Sequence, residues 1–272
     1  MGKFIISAFA DEIDPSLDKQ MDVLDQHGIC HIEMRGVDGR NITEHAVSEV
    51  RVLKSRMDAR GFKVSAVGSP IGKIGICDPF EPHLTLFRHT LDLAEVLETR
   101  YIRMFSFFLP GGEDPARFRD EVMRRWLAFV AAAEGRGIIL LHENEKDIYG
   151  DVASRCLDLL ETVHCPYLKV TFDPANFVQV GEKTFPEAFR MLEEHIAYIH
   201  IKDALHGSGD VVPAGEGDGR VEDILKALQS ADWSGFLSLE PHLNHSLPGG
   251  GSEFFGVACD ALNRILDRIG RS

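Results

Sequence analysis

The stretch Ile138-Ile139-Leu140-Leu141-His142-Glu143-Asn144-Glu145 decides the fold, because four apolar residues run straight into a histidine and two acids with no turn residue between. Such a run reads as a strand buried on both faces, as in a parallel sheet, and a charge at its end must be paired or bound to something. Three later stretches repeat the pattern. Val170-Thr171-Phe172-Asp173-Pro174-Ala175-Asn176, Tyr198-Ile199-His200-Ile201-Lys202-Asp203 and Phe236-Leu237-Ser238-Leu239-Glu240-Pro241-His242 each carry a short β-rich run into polar side chains.

Working outward, similar runs occupy residues 4–10, 31–37, 63–68 and 101–108, which with 137–143, 168–173, 197–202 and 235–240 makes eight. Between them the apolar residues take helical spacing: Leu17, Met21 and Leu24; Leu84, Phe87, Leu91, Leu93, Ala94 and Leu97; Leu225 and Leu228 before Trp233. Gly28, Gly61 and Gly137 mark predicted helix ends, and Asp14-Pro15, Asp114-Pro115 and Ser252-Glu253 mark predicted starts. Eight strand–helix units in 272 residues average about 34 each, enough for a strand, a crossover helix and two loops. The expectation is an α/β chain folded as one (β/α)8 TIM barrel over residues 1–272. An open doubly wound sheet uses the same alternation, and periodicity alone does not separate the two.

Composition narrows the function. A formal net charge of -14 repels a polyanion, which sets nucleic acid aside as a partner. Cys30, Cys77, Cys156, Cys165 and Cys259 are scattered, odd in number and without a CxxC, so they read as reduced thiols. The short apolar run at the N-terminus ends at Asp11-Glu12 and reads as a first strand, not a signal peptide. No apolar stretch approaches the roughly 18 residues a membrane span needs. The expectation is a cytoplasmic protein with a small-molecule substrate and no membrane partner; association as a homo-oligomer stays open.

In a barrel every C-terminal strand end faces one mouth, so Glu143, Asp173, His200 and Glu240 are expected to converge there. Three carboxylates and one imidazole suit a single divalent ion, with Mn²⁺ favoured over Mg²⁺, Co²⁺ or Zn²⁺. Taken singly each has an ordinary explanation: Asp173 before Pro174 caps a turn, and His200 is a hydrogen-bonded core histidine. Two carboxylates on adjoining ligands of one ion could also act as acid and base on opposite faces of a chelated substrate.

The segments HENE (142–145), TFDPANF (171–177), YIHIKD (198–203) and LSLEPH (237–242), with IEMRG (32–36) and VGSPIGK (67–73), resemble the xylose-isomerase-like TIM-barrel superfamily. Within it the chain resembles the sugar phosphate isomerase/epimerase group, which includes ketose 3-epimerases and inosose dehydratases. The resemblance implies that Glu143, Asp173, His200 and Glu240 hold one metal ion and that Glu143 and Glu240 move protons. It also implies substrate contacts at Asn176, where those epimerases often carry histidine, and at His206, where arginine is common. These two departures bear on the substrate and not on the metal.

Other side chains are weaker candidates. Alternation puts Lys202 on the face of His200, as a substrate ligand or a partner for a carboxylate. Glu33, Arg35 and Arg103 are expected to form an internal ion pair, and Lys73 to close over substrate. Residues 213–219 follow the seventh strand, where many barrels hold phosphate, but Glu216 and Asp218 would repel a dianion; the loop is expected to be mobile and to shape the mouth. His142, His242 and His245 are expected at the rim, and Phe107-Phe108 in the core or under a sugar. The expected activity is a metal-dependent isomerisation or epimerisation of a small sugar or sugar phosphate through a cis-enediolate. Its rivals are dehydration of a cyclic polyol, a DNA-repair endonuclease, which the acidity disfavours, and a non-catalytic metal-binding barrel.

Overall fold

Eight parallel strands close into a barrel in the computed structural model, which describes residues 2–243 and 250–270; His245 lies outside them. The strands are β1 Phe4–Ala8, β2 His31–Met34, β3 Lys63–Gly68, β4 Tyr101–Met104, β5 Ile139–Glu143, β6 Leu168–Phe172, β7 Ile196–Ile201 and β8 Gly235–Leu239. Each pairs with the next in parallel, and β1 pairs with β8 from Phe4↔Gly235 to Ala8↔Leu239, which closes the ring. The helices around it are α1 Leu17–Gln26, α2 Val47–Ala59, α3 Phe80–Val96, α4 Arg119–Ala133, α5 Ala153–Val163, α6 Pro174–Gln179, α7 Phe189–Leu192, α8 Val221–Ser230 and α9 Gly251–Ile269. The expected (β/α)8 barrel is therefore the observed one, and none of the described helices is long and apolar enough to cross a membrane.

Two cores follow from strand alternation. Outward residues such as Leu140, Val170 and Ile199 pack against helix faces carrying Leu84, Phe87 and Leu91 from α3 and Ile224, Leu225 and Leu228 from α8. Inward residues form a smaller plug of Ala66, Leu141 and Tyr198. Beneath the mouth the Tyr198 hydroxyl meets Ser65 Oγ at 2.8 Å, and Ser65 meets Ser7 Oγ at 2.6 Å, so these buried hydroxyls satisfy one another.

Strand and helix limits differ from expectation where the chain bends at the rim. Residues 105–108 leave the barrel after Met104 and pair instead with the loop following β3, through Phe105 N–H to Ile71 O, Phe107 N–H to Gly72 O and Phe108 N–H to Ile74 O. That pairing needs glycine at 72, since a Cβ there would lie 2.0 Å from Phe105 O and the backbone has φ +89°. Of the predicted starts, Asp114 accepts the Ala116 N–H, whereas Ser252 lies inside α9, whose cap is Gly250.

Candidate metal centre

Glu143 ends β5, Asp173 follows β6, His200 is the fifth residue of β7 and Glu240 follows β8, so the closed ring turns all four into one mouth. Each is buried, and one ligand atom from each lies within 4.8 Å of the others. His200 Nδ1 is 3.1 Å from Glu143 Oε1, 3.6 Å from Asp173 Oδ2 and 3.7 Å from Glu240 Oε2.

Local sequence sets each orientation. Asp173 does cap α6, but with one oxygen only: Oδ1 accepts the Asn176 N–H at 2.9 Å, and Oδ2 faces the cluster. Asn144 joins the two strand ends, donating from Nδ2 to Asp173 O and accepting the Asp173 N–H at Oδ1, both at 2.9 Å. His142 alternates outward, against Trp126, with Nε2 3.0 Å from Ser106 Oγ; burial holds its pKa down at about 4, and it is not a rim donor. His242 is at the rim, with Nε2 3.0 Å from Glu12 Oε1 and 3.6 Å from Glu240 Oε1.

The acids are matched by cations from three directions. Lys202 Nζ donates to Glu240 Oε2 at 2.7 Å and lies 2.8 Å from Asp173 Oδ2. Arg103 Nε lies 3.2 Å from Glu143 Oε2, and Arg35 Nη1 donates to Glu240 Oε1 at 3.1 Å. Burial alone would raise the Glu143 carboxyl, yet His200 and Arg103 outweigh it and hold the pKa at about 2. Burial likewise opposes ionisation of Glu240, and Lys202, His242, His200 and Arg35 bring it well below the usual carboxylate range.

These donors fit a divalent cation. Asp173 Oδ2 is fully buried and accepts no hydrogen bond, because Lys202 approaches it outside hydrogen-bonding geometry. A buried carboxylate oxygen in that state has the Lys202 ammonium as its counter-charge and still keeps a lone pair free for a metal ion. His200 is oriented for the task from behind: Nε2 is 3.3 Å from Glu33 Oε1 on β2, and Glu33 is wholly buried. A carboxylate on the outer ring nitrogen fixes which nitrogen is left to bind a metal.

Glu33 thus serves His200, and the expected ion pair is rearranged. Glu33 lies 3.9 Å from Arg103 Nε, while Arg35 turns to Asp11, Glu12 and Glu240. Strand 2 offered the signal, since Glu33 and Arg35 share a face with two-residue spacing. Phe9 gave none: its ring meets His200 edge-on at 5.1 Å and lies under the Arg35 guanidinium at 4.4 Å.

The remaining candidates divide. Asn176 Nδ2 donates to Asn144 O at 2.9 Å and reaches Glu143 Oε1 at 3.3 Å, so the structure places it as a holder of Glu143. The structure does not bring His206 to the cluster; the residue is exposed, with its N–H given to Asp218 Oδ2. Lys73 does reach the mouth, above the Phe105 ring at 4.2 Å and bonded to Glu145. Phe105 is the aromatic wall of the mouth, and Phe107 stacks on Phe129 in the outer core. The 213–219 loop is tied down by Asp203, whose carboxylate accepts N–H groups from Gly215, Gly217 and Gly219.

A cavity of about 160 Å³ opens above Glu143 and Glu240, and a second of about 420 Å³ adjoins it beside Asn176 and Lys202. A larger one of about 520 Å³, at the opposite pole near His31 and Lys63, contains none of the clustered carboxylates.

A barrel with a mouth of this kind defines a class, and the sequence places the chain within it. Residues 21–254 match the family described as xylose isomerase-like TIM barrel, and the chain belongs to that family. Among curated proteins none matches in sequence. Among solved structures, the IOLI protein with a binding zinc atom is similar at TM-score 0.80 and 15% identity, over 99% of this chain and 100% of the other. An L-ribulose 3-epimerase is similar at 0.74 and 15%, over 100% and 96%. A xylose isomerase-like TIM barrel protein from Mycobacterium smegmatis in complex with magnesium is similar at 0.73 and 16%, over 97% and 96%. At these identities the likeness is one of fold.

Proposed function

We propose that this protein is a metal-dependent isomerase or epimerase of a small sugar, with Glu143 and Glu240 moving the protons. The observation that carries the reading is that two buried, ionised carboxylates line one small cavity, each held by a different set of cations. Glu143, Asp173, His200 and Glu240 would hold the ion, with Mn²⁺ or Co²⁺ suited to the mixed donor set. When bound, a divalent ion supplies Lewis acidity toward a substrate carbonyl. The similarity to a zinc-binding protein, a magnesium complex and an epimerase supports the reading at the level of fold.

The side chains supply the rest. A carboxylate that stays ionised at neutral pH accepts the proton from the carbon beside the carbonyl. The other carboxylate is ionised too, so it returns a proton only by relaying one, as Glu240 can from the Lys202 ammonium 2.7 Å from its Oε2. The proton goes to the neighbouring atom in isomerisation or to the opposite face in epimerisation, and exchange with solvent then restores both groups. Asn176 and Arg103 steady Glu143, and Arg35 and Lys202 steady Glu240, so neither rotates away during transfer. Phe105 walls the mouth with apolar surface that keeps water from the reacting carbon.

The test is proton exchange. The native protein in deuterium oxide should wash deuterium into a ketose next to its carbonyl, as followed by proton NMR across a panel of ketoses. No exchange with any of them would return the chain to the binding-barrel reading. A second reading, loss of water from a cyclic polyol, has one observation in its favour: the Lys202 ammonium lies 2.7 Å from Glu240 and is an acid placed for a leaving hydroxide. Product mass separates the two.

The Glu33–His200 contact carries its own expectation. Glu33→Gln keeps the size but loses the charge that makes His200 a better donor, so metal affinity should fall about 10- to 100-fold. Mn²⁺ titration calorimetry on a variant with a native circular dichroism melt measures it. Unchanged affinity would reduce Glu33 to a partner of Arg103.

A further inference from the structure

Across the barrel from the metal cluster, the N-terminal ends of the strands carry positive charge of a kind that the rest of the chain mostly pairs off. Elsewhere the cations sit beside carboxylates: Arg60 with Asp22 and Asp25, Arg136 with Asp92 and Glu95, Arg119 with Asp158. Among the described residues, Lys3, Lys63, Arg100 and Lys169 make no ion pair. Lys3 precedes β1, Lys63 opens β3, Arg100 precedes β4 and Lys169 is the second residue of β6, so all four stand at one pole. Side chains of one sign gathered in this way repel one another and do not steady the fold. Their effect is felt at His31, the first residue of β2, whose pKa is held below the ordinary histidine value by burial and then by Lys63 and Lys3.

The same pole is not filled. Barrels of this type pack their interior with layers of side chains, but here a cavity of about 520 Å³ reaches from the starts of β2, β3 and β4 to Phe236 on β8. Small-molecule sites occupy roughly 300–1,000 Å³. Three half-buried rings line the strand side: His31 meets Phe236 at 5.3 Å between centroids, and Tyr101 meets Phe236 edge-on at 6.2 Å. Lys63, paired in register with His31, and Arg100 line the cavity beside them. The opposite wall has another character. There Lys54 is bound to both Asp58 and Glu98, at the C-terminal ends of α2 and α3. Helix C-termini and carboxylates offer an anion nothing, so the charge of a ligand is directed to Lys63 and Arg100.

Aromatic walls beside unpaired cations recognise one kind of molecule. A flat ring gains by covering aromatic surface, and a carboxylate takes two parallel N–H groups from a guanidinium. We propose that this pole is a second ligand site, separate from the metal centre, for an aromatic carboxylate. It stands independently of the isomerase reading, because its lining shares no residue with the metal cluster.

The experiment uses the full-length protein loaded with Mn²⁺ and follows three probes by calorimetry. These are naphthoate, its uncharged carboxamide, which keeps the rings, and inorganic phosphate, which keeps only charge. Naphthoate should bind, and the other two should bind at least about tenfold more weakly. Lys63→Met and Arg100→Met alter exposed side chains without partners in the fold, so both variants should keep a native circular dichroism melt. Each should weaken naphthoate about tenfold, the loss of one charged hydrogen bond, while Mn²⁺ affinity stays unchanged. No naphthoate binding at millimolar concentration would overturn the proposal, as would carboxamide or phosphate bound as tightly as naphthoate. Native naphthoate affinity in either variant would overturn it too, and would place the ligand elsewhere on the barrel.

Discussion

Protein freed of divalent ions with EDTA should lose all measurable sugar turnover and regain it with Mn²⁺ or Co²⁺. The reason lies in how the mouth's cations are used. A developing negative charge on a substrate oxygen needs a positive partner, and the cations nearest the clustered acids are Arg35, Arg103 and Lys202. Each already neutralises buried carboxylates: Arg35 serves Asp11, Glu12 and Glu240, Arg103 serves Glu143, and Lys202 serves Asp173 and Glu240. Turning any of them toward substrate would strand a buried charge, at a cost of about 3–5 kcal/mol. Lewis-acid stabilisation is itself worth several kcal/mol, which is about a thousandfold or more in rate. The loss should therefore exceed three decades while the circular dichroism spectrum of the stripped protein stays native. Full turnover in rigorously metal-free protein would remove the metal from the reading.

The barrel was legible because its signal is repeated. Eight apolar runs alternate with helical spacing, and four of them end in charge without a turn residue, which water-facing loops rarely do. Closure was not legible from periodicity, since an open sheet alternates the same way; it rests on β1 pairing with β8 across nearly the whole chain. The positions of Glu143, Asp173, His200 and Glu240 could be read because each is fixed by strand direction alone. Positions fixed by loops could not. His206 sits at a plausible distance in sequence from His200, but the loop that carries it is shaped by Asp203 and Asp218, and it ends in solvent.

Glu33 shows a different limit. The sequence places it beside Arg35 on one strand face, where an ion pair is the simplest expectation. Only closure of the ring brings β2 across from β7, so that a carboxylate 167 residues away reaches the far nitrogen of His200. The same limit applies to Phe9, whose role as a wall between His200 and Arg35 depends on three strands at once. Asp173 lies between these cases: one carboxylate oxygen caps α6, as an ordinary turn residue would, and the other faces the cluster without a hydrogen bond.

Glu143→Gln and Glu240→Gln should each lower proton exchange by about 10²- to 10⁴-fold, the range over which a positioned acid or base contributes, and the two should fail differently. Glutamine keeps the length and one acceptor oxygen but takes no proton at neutral pH. Each residue is also a proposed metal donor, so metal content has to be measured on the same samples. Their surroundings predict which variant tolerates the change better. Glu143 receives an Asn176 amide contact and faces Arg103 and His200, so Glu143→Gln leaves Arg103 buried without its nearest acid. Glu240 shares Lys202 with Asp173 and Arg35 with Asp11 and Glu12, so its cations keep other partners when its charge is removed. Glu240→Gln should accordingly fold with near-native stability and keep its metal while losing exchange, whereas Glu143→Gln should lose stability as well. With an epimerase, single-turnover exchange in deuterium oxide would then separate the faces: the variant that retains the base still labels the starting sugar but forms no epimer. A Glu240→Gln protein that holds one metal ion and exchanges at the native rate would make that glutamate a ligand only, and the proton chemistry would pass to Lys202, the nearest remaining group able to carry a proton between substrate and Asp173.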